Sequence, residues 1–275
     1  MHRDSRINVA GSIMDTAQRI PVLMYHRVGD AHNMWERKYC ISPQRFAEHM
    51  SALAQSNWQA VSVDDFMAWR QGKKTLPEKA FLISFDDGFK GVYEHAWPVL
   101  RQYHWPAVMF LVSNLIGQKD AWSKNENPEG NIYPLLNRTE IAEMAQGGFS
   151  FHGHSRNHRD LTALNDAELV DETEGCKAEL DLLDIPCRYF AYPYGRFSER
   201  EATAVKMAGF EAAFSVQPGF NRPDVDIFRI RRLDVFGTDT SAMLLRKITL
   251  GSNDGRLIAW AGYYLKQLQI RLGLG

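Results

Sequence analysis

Four short apolar runs each end abruptly in groups that can do chemistry, and this pattern constrains the chain more than any other feature. Ile20 to Tyr25 ends at His26, and Ala80 to Phe85 runs into Asp86-Asp87-Gly88. Phe149-Ser150-Phe151 leads to His154, and Tyr189 to Tyr192 ends at Pro193-Tyr194-Gly195. Apolar runs of this length with polar ends suit strands buried on both faces. Between them lie helical patterns: Phe46 to Trp58 after the start signal Ser42-Pro43, Val63 to Arg70, Tyr93 to Gln102, Thr139 to Ala145, Ala167 to Leu183, and Ser198 to Ala208 stopped by Gly209. Further strands are expected at Ala60 to Val63, Ala107 to Val112, Ala212 to Val216 and Ile227 to Ile230. Strands alternating with helices indicate an α/β protein with a mostly parallel sheet. In barrel-like α/β folds the C-terminal strand ends gather around one site, so the four polar endings are expected to meet.

Composition sets the outer limits. With 275 residues, 45% of them hydrophobic, the chain can bury a full core. A formal net charge of -1 supplies no global field for nucleic acid, and no nucleic-acid partner is expected. Cys40, Cys176 and Cys187 are odd in number and lack metal-ligand spacing, which fits idle thiols in a reducing compartment. Met1 to Arg19 is polar and reads as a flexible arm without a signal-like apolar run, so a cytoplasmic location is expected. The segment from Gly117 to Asn137 reads as a long loop of the kind that often borders a site. Arg256 to Leu272 has the pattern of a basic, aromatic amphipathic helix. It is expected to pack on the domain, or to touch a membrane surface peripherally.

Asp86 and Asp87 carry the first chemical argument. Adjacent carboxylates on a buried strand end repel and are costly unless a cation is present. One reads as a metal ligand and the other as a base, with a helix N-cap as the plain alternative. His154-Ser155-Arg156-Asn157-His158 places two imidazoles four residues apart, on one face if the segment is a helical turn. Two His and one carboxylate, Asp87, leave positions open for water, the composition of a catalytic rather than a structural metal site.

These residues resemble a known family, the polysaccharide deacetylases with their NodB homology domain (carbohydrate esterase family 4). Ser84-Phe85-Asp86-Asp87-Gly88 is similar to the first motif, His154 to His158 to the second, and Phe190-Ala191-Tyr192-Pro193-Tyr194-Gly195 to the third. The opening Pro21 to Val28 resembles the first strand of one branch of the family. The resemblance implies a distorted (β/α) barrel of about seven strand-helix units. It implies a divalent ion, zinc first and cobalt, nickel, manganese or iron as alternatives, held by Asp87, His154 and His158. Asp86 would be the general base, and the Tyr194 backbone N–H would face the developing oxyanion. On this reading residues 1–19 are an arm, 20–250 the catalytic domain and 251–275 a terminal helix.

Two departures from the family pattern matter. An Arg that usually steadies the base is replaced by Ala191, and Arg188, Arg229, Arg231 and Arg232 are the candidates to substitute. No histidine follows His158, so the general acid must come from elsewhere, with His26 favoured by its strand-end position over His152. Tyr192, Pro193 and Trp122 are candidate substrate contacts, and Trp35 and Tyr133 are further loop aromatics that could stack on a sugar. The expected substrate is an N-acetylated sugar, with nucleotide-linked, lipid-linked and small glycosidic forms all open. A formamido sugar, a cyclic amide or a purely binding role are the alternatives.

Overall fold

The computed structural model describes residues 18–258, 261 and 262. In chain order its elements are β1 (Val22–Tyr25), β2 (Arg27–Val28), β3 (Cys40–Ile41), α1 (Pro43–Gln55), β4 (Gln59–Ala60), α2 (Val63–Arg70), β5 (Ala80–Phe85), α3 (Trp97–Gln102), β6 (Ala107–Leu111), α4 (Arg138–Gln146), β7 (Phe149–Gly153), α5 (Asp166–Val170), α6 (Cys176–Asp181), β8 (Tyr189–Ala191), α7 (Glu199–Met207), β9 (Ala212–Phe214), β10 (Leu233–Asp234) and α8 (Ser241–Leu250). The main sheet runs β10-β1-β5-β6-β7-β8-β9, with every neighbouring pair parallel, and β4 adds to the start of β5. This is the expected distorted barrel, its main path made of seven strands.

Side chains alternate along every strand, as a pleated backbone requires. Leu23, Phe81, Ile83, Phe85, Met109, Leu111, Phe151 and Phe190 face the helices, where Phe46, Met50 and Leu53 of α1, Leu100 of α3 and Leu244 and Ile248 of α8 cover them. Val22, Leu82, Val108, Phe110, Tyr189, Ala191 and Phe214 point to the other face and form an inner cluster. Phe66, Met67 and Trp69 of α2 join that cluster. Both faces are therefore buried, which is why the strands read as continuous apolar runs.

Helix starts follow ordinary capping chemistry. Ser42 and Ser62 accept from Arg45 N and Asp65 N at the starts of α1 and α2. Asn137, Asn165 and Ser198 close capping boxes with Glu140, Glu168 and Glu201. Two helices begin or continue through a π-turn. Val92–Ala96 precedes α3, whose Pro98 has no N–H to offer the carbonyl of Glu94. Asp171–Gly175 sits between α5 and α6 within the helix expected from Ala167 to Leu183.

Two expectations are corrected. Ile227 to Ile230 is not a strand but supplies a single bridge, Phe214 to Ile230, because a turn from Asp226 to Arg229 interrupts it. The last strand is instead Leu233–Asp234, which pairs with β1. No ladder joins β9 to β10 among the described residues, and the chain from Ser215 to Arg232 spans that seam. Most of the arm and of the terminal amphipathic helix lies outside the described residues, which take in residues 18 and 19 of the one and 256–258, 261 and 262 of the other. Among those described, no helix is long and apolar enough to cross a membrane.

The docking of α8 rests on a buried ion pair. Lys247 Nζ donates to Asp239 Oδ2 at 2.5 Å and to the Asp234 carbonyl at 3.0 Å, and both side chains are nearly inaccessible. His49 of α1 contacts the Asp239 carbonyl at 2.8 Å and the Tyr25 hydroxyl at 3.3 Å. Removing one partner leaves the other charge buried, so Asp239→Ala is expected to cost about 3–5 kcal/mol in urea unfolding. A loss below about 1 kcal/mol would show that the pair is not what seats α8.

Candidate metal centre

The expected meeting of strand ends takes place. Asp86 and Asp87 follow β5, His154 follows β7, and all three lie in a cleft with His158 and Tyr194. Asp87 Oδ1 lies 3.4 Å from His154 Nε2 and 3.2 Å from His158 Nε2. None of these approaches has hydrogen-bond geometry, and buried Asp87 Oδ1 has no hydrogen-bond partner. Three donor atoms, each from a buried residue, thus converge within 4.8 Å of one another. A tetrahedral ion with bonds of about 2.0–2.2 Å sets its ligands about 3.3–3.6 Å apart, which matches these separations. The donor set fits a divalent ion.

The backbone that delivers these ligands is strained. Among the described residues seven non-glycines have positive φ, and four are Asp87 (φ 73°), Ser155 (φ 62°), His158 (φ 57°) and Tyr194 (φ 58°). Each such position costs about 1–3 kcal/mol and persists where surroundings over-determine it, commonly at functional sites. The two left-handed residues correct the helical-turn reading of His154 to His158. The segment is a loop, and its imidazoles converge because the chain reverses twice. His154 Nδ1 lies 2.8 Å from the Ala191 carbonyl, which turns Nε2 inward as a lone-pair donor. His158 is packed between Trp122, stacked at 4.4 Å, and Tyr194, edge-on at 4.7 Å. Gly195 (φ 65°) completes the third turn, where a Cβ would lie 2.1 Å from the Val216 side chain.

Asp86 does not join the three donors. Arg232, wholly buried, grips it in a bidentate pair at 2.6 and 2.8 Å. Its Nε donates to the Ser215 carbonyl at 2.9 Å. Of the four candidate arginines to stand in for the one absent at Ala191, Arg232 holds the carboxylate. Arg188 and Arg229 pair with surface acids, and Arg231 leaves Asp86 to its neighbour. Burial by itself would raise the Asp86 pKa, but the adjacent guanidinium outweighs it and holds the carboxyl below its usual value. Burial also opposes ionisation of Asp87, and the two imidazoles hold it well below the carboxylate range.

The other candidates separate cleanly. His26 lines the cleft and its buried Nδ1 has no partner. His152 lies within β7, two residues before His154 and about 7 Å deeper. It packs against Tyr189 at 4.5 Å, and burial pushes its pKa down to about 3. It does not border the cleft, so it is not placed to serve as the acid. Trp122 and Trp35 line the cleft. Tyr192 borders it, but its ring stacks on Phe197 at 4.1 Å and its hydroxyl donates to the Phe228 carbonyl. Pro193 is buried and is not among the lining residues.

Several lining groups were not singled out from sequence. Glu36 is a buried carboxylate that accepts from Arg27 at 2.8 Å, Asn127 at 2.8 Å and Tyr133 at 2.7 Å, tying the long loop to the segment after β2. Burial opposes its ionisation, but hydrogen bonds led by His32 N hold it down at about 2. Asp120 is pushed up to about 6 by burial. Asp234 borders the cleft and is clasped by Asn253, which donates at 2.6 Å and accepts from Asp234 N at 2.9 Å. Asp234 follows an apolar residue at a strand end, the signal that would have found it.

Comparison with known proteins agrees with this geometry. Residues 73–213 match the family model for polysaccharide deacetylase. A Bacillus subtilis (strain 168) protein whose name assigns it to the polysaccharide deacetylases is 26% identical over 218 residues, covering 79% of this chain and 71% of its own. A poly-beta-1,6-N-acetyl-D-glucosamine N-deacetylase of Staphylococcus epidermidis is 28% identical over 207 residues, covering 72% and 68%. Among solved structures, IcaB from Ammonifex degensii superposes with a TM-score of 0.67 at 28% identity, covering 79% of this chain and 92% of its own.

Arg232→Met tests the Asp86 pair through its pH dependence. In the wild type the Asp86 carboxyl is depressed, so its stabilisation is complete above about pH 4 and is lost as pH falls. Without the guanidinium, burial dominates and raises that carboxyl, so the variant gains stability as pH falls. Urea unfolding of metal-free protein is expected to show a deficit of about 3–5 kcal/mol at pH 7 that narrows towards pH 4. A deficit independent of pH would show that the pair does not govern Asp86.

Proposed function

Because this chain belongs to the polysaccharide deacetylase family, and is a hydrolase of carbon–nitrogen bonds, we propose that its cleft removes the N-acetyl group from an uncharged amino-sugar unit of a glycan. A divalent ion would be held by Asp87, His154 and His158, with zinc the first choice for imidazole and carboxylate donors and cobalt, nickel, manganese or iron the alternatives. The observation that carries the reading is the convergence of three donors beside a fourth group, Asp86, that is neutralised separately.

When bound, such an ion lowers the pKa of water and polarises a carbonyl oxygen. Asp86, kept ionised by Arg232, takes a proton from the attacking water. The Tyr194 backbone N–H donates to the acetyl oxygen as it gains charge. His26, which follows β1 beside Asp86 and lines the cleft, gives a proton to the departing nitrogen. A carbon–oxygen bond forms, the amide carbon–nitrogen bond breaks, and acetate and a free amine leave.

The lining argues for the substrate class. The cleft measures about 220 Å³, less than the roughly 300–1,000 Å³ of sites that engulf drug-sized ligands, which suits one sugar unit of a longer chain. Among the described residues no lysine lines it, and the lining arginine, Arg27, is committed to Glu36. Asp120, Glu126 and Asp234 line it instead. A nucleotide- or lipid-pyrophosphate-linked sugar would meet carboxylates and, among the described residues, no uncommitted lysine or arginine side chain. Trp35, Tyr39 and Trp122 offer aromatic faces suited to a neutral ring. The names of the staphylococcal relatives point the same way.

Acetate release from β-1,6-linked N-acetylglucosamine oligomers is the test. Zinc-loaded protein is expected to turn over, and Asp86→Asn to lose about 10²–10⁴-fold. Full turnover after chelation, or no acetate from protein that demonstrably holds one zinc, would sink the proposal. In the latter case formamido sugars and cyclic amides become the substrates to try.

A further inference from the structure

A single buried carboxylate that no motif contains holds two backbone N–H groups of the loop between the two histidine ligands. Glu172 is 1% exposed and lies in the π-turn Asp171–Gly175 between α5 and α6. Its Oε2 accepts from Arg156 N at 3.0 Å and Asn157 N at 2.8 Å, and its Oε1 accepts from the Asn157 side chain at 2.8 Å. Its backbone carbonyl also accepts from Arg156 N, at 3.1 Å. In an unbroken α-helix that carbonyl would be turned along the axis to the residue four places on. A π-turn disturbs that ladder, a device found frequently at functional sites. The same turn makes room for the loop: Gly175 sits where a Cβ would come within 3.1 Å of Arg156 Cδ. The N–H of His158 is met by Ser155 Oγ at 3.0 Å.

We propose that Glu172 is a positioning residue for the metal centre, resting on the metal-dependent reading above: it clamps Arg156 and Asn157 so that the left-handed backbone at Ser155 and His158 holds both Nε2 atoms on one point. Glu172 does not touch the donor atoms and acts only through the loop. Two left-handed residues within four positions do not persist without such support. A charged acceptor shared by two backbone N–H groups supplies it, because charge-assisted hydrogen bonds are the strong ones.

Zinc affinity, measured by competition with a chromophoric chelator, separates this role from general stability. Glu172→Gln keeps the size but turns an N–H towards an N–H, and is expected to bind zinc about 10–100-fold more weakly, the usual cost of losing an outer support. Glu201→Gln is the matched control. Glu201 is an equally buried carboxylate that closes the α7 cap through Ser198 N at 2.7 Å and makes no contact with the histidine loop. Its zinc affinity is expected to equal wild type even where its thermal stability falls. Wild-type affinity in folded Glu172→Gln, or an equal loss in both variants, would overturn the inference and leave the deacetylase reading standing. Failure of the wild-type protein to bind zinc would overturn the metal-centre reading itself, and the inference with it.

Discussion

Two adjacent carboxylates, both nearly out of water at the end of one strand, are the constraint to which the rest of the molecule answers. Asp86 and Asp87 cannot both stay ionised there without separate compensation. The fold gives each a different partner: a buried guanidinium for Asp86, and two imidazoles around an ion-sized gap for Asp87. The positive φ of Asp87 makes the separation possible, since it turns the second carboxylate away from the first instead of letting it follow the strand. One carboxylate is thereby fixed as a free acceptor and the other as a ligand.

The seam in the barrel has a direct bearing on that division. A closed sheet would carry a strand side chain where Arg232 enters. Because β9 and β10 are not laddered together, the irregular chain between them delivers the guanidinium from the side, its Nε anchored on the Ser215 carbonyl. The inner face of the barrel is largely apolar, so this pair sits in a medium where an unmatched charge would be severely penalised. Lys247 and Asp239 repeat the arrangement on the outer face, where they seat α8 behind β10.

Much of this was legible in the sequence. The period and apolar content of β1, β5, β6, β7 and β8 gave the strands, because burial on both faces leaves a composition few other elements share. Asp87, His154 and His158 were legible because ligand chemistry demands particular residue types at strand ends. What escaped was conformation and distance. The His154 to His158 spacing fits a helical turn as readily as a loop with two left-handed residues, and only tertiary contacts decide between them. Arg232 could be named only as one of four arginines, since nothing local distinguishes a guanidinium that reaches 146 positions back. The network around Glu36 had no signal, for its members are ordinary loop residues until they meet. His152 suited the chemistry by residue type, and only its depth on the strand separates it from the cleft.

The pairing of β1 with β10 has a consequence for how the protein is made. Leu23 lies opposite Leu233, so β1 waits for a strand 210 residues further along the chain to complete its edge. Strand pairings this distant in sequence are slow to form, and an unpaired apolar edge invites association with other chains in the interval. The ligand-bearing strands can assemble meanwhile, but the guanidinium that neutralises Asp86 arrives only with that final segment. A nascent chain halted before it would hold two neighbouring carboxylates, one of them uncompensated, beside an open sheet edge. The order of synthesis thus makes completion of the polar centre and closure of the hydrophobic edge one late event, and a chain that fails at either is exposed to quality control at both.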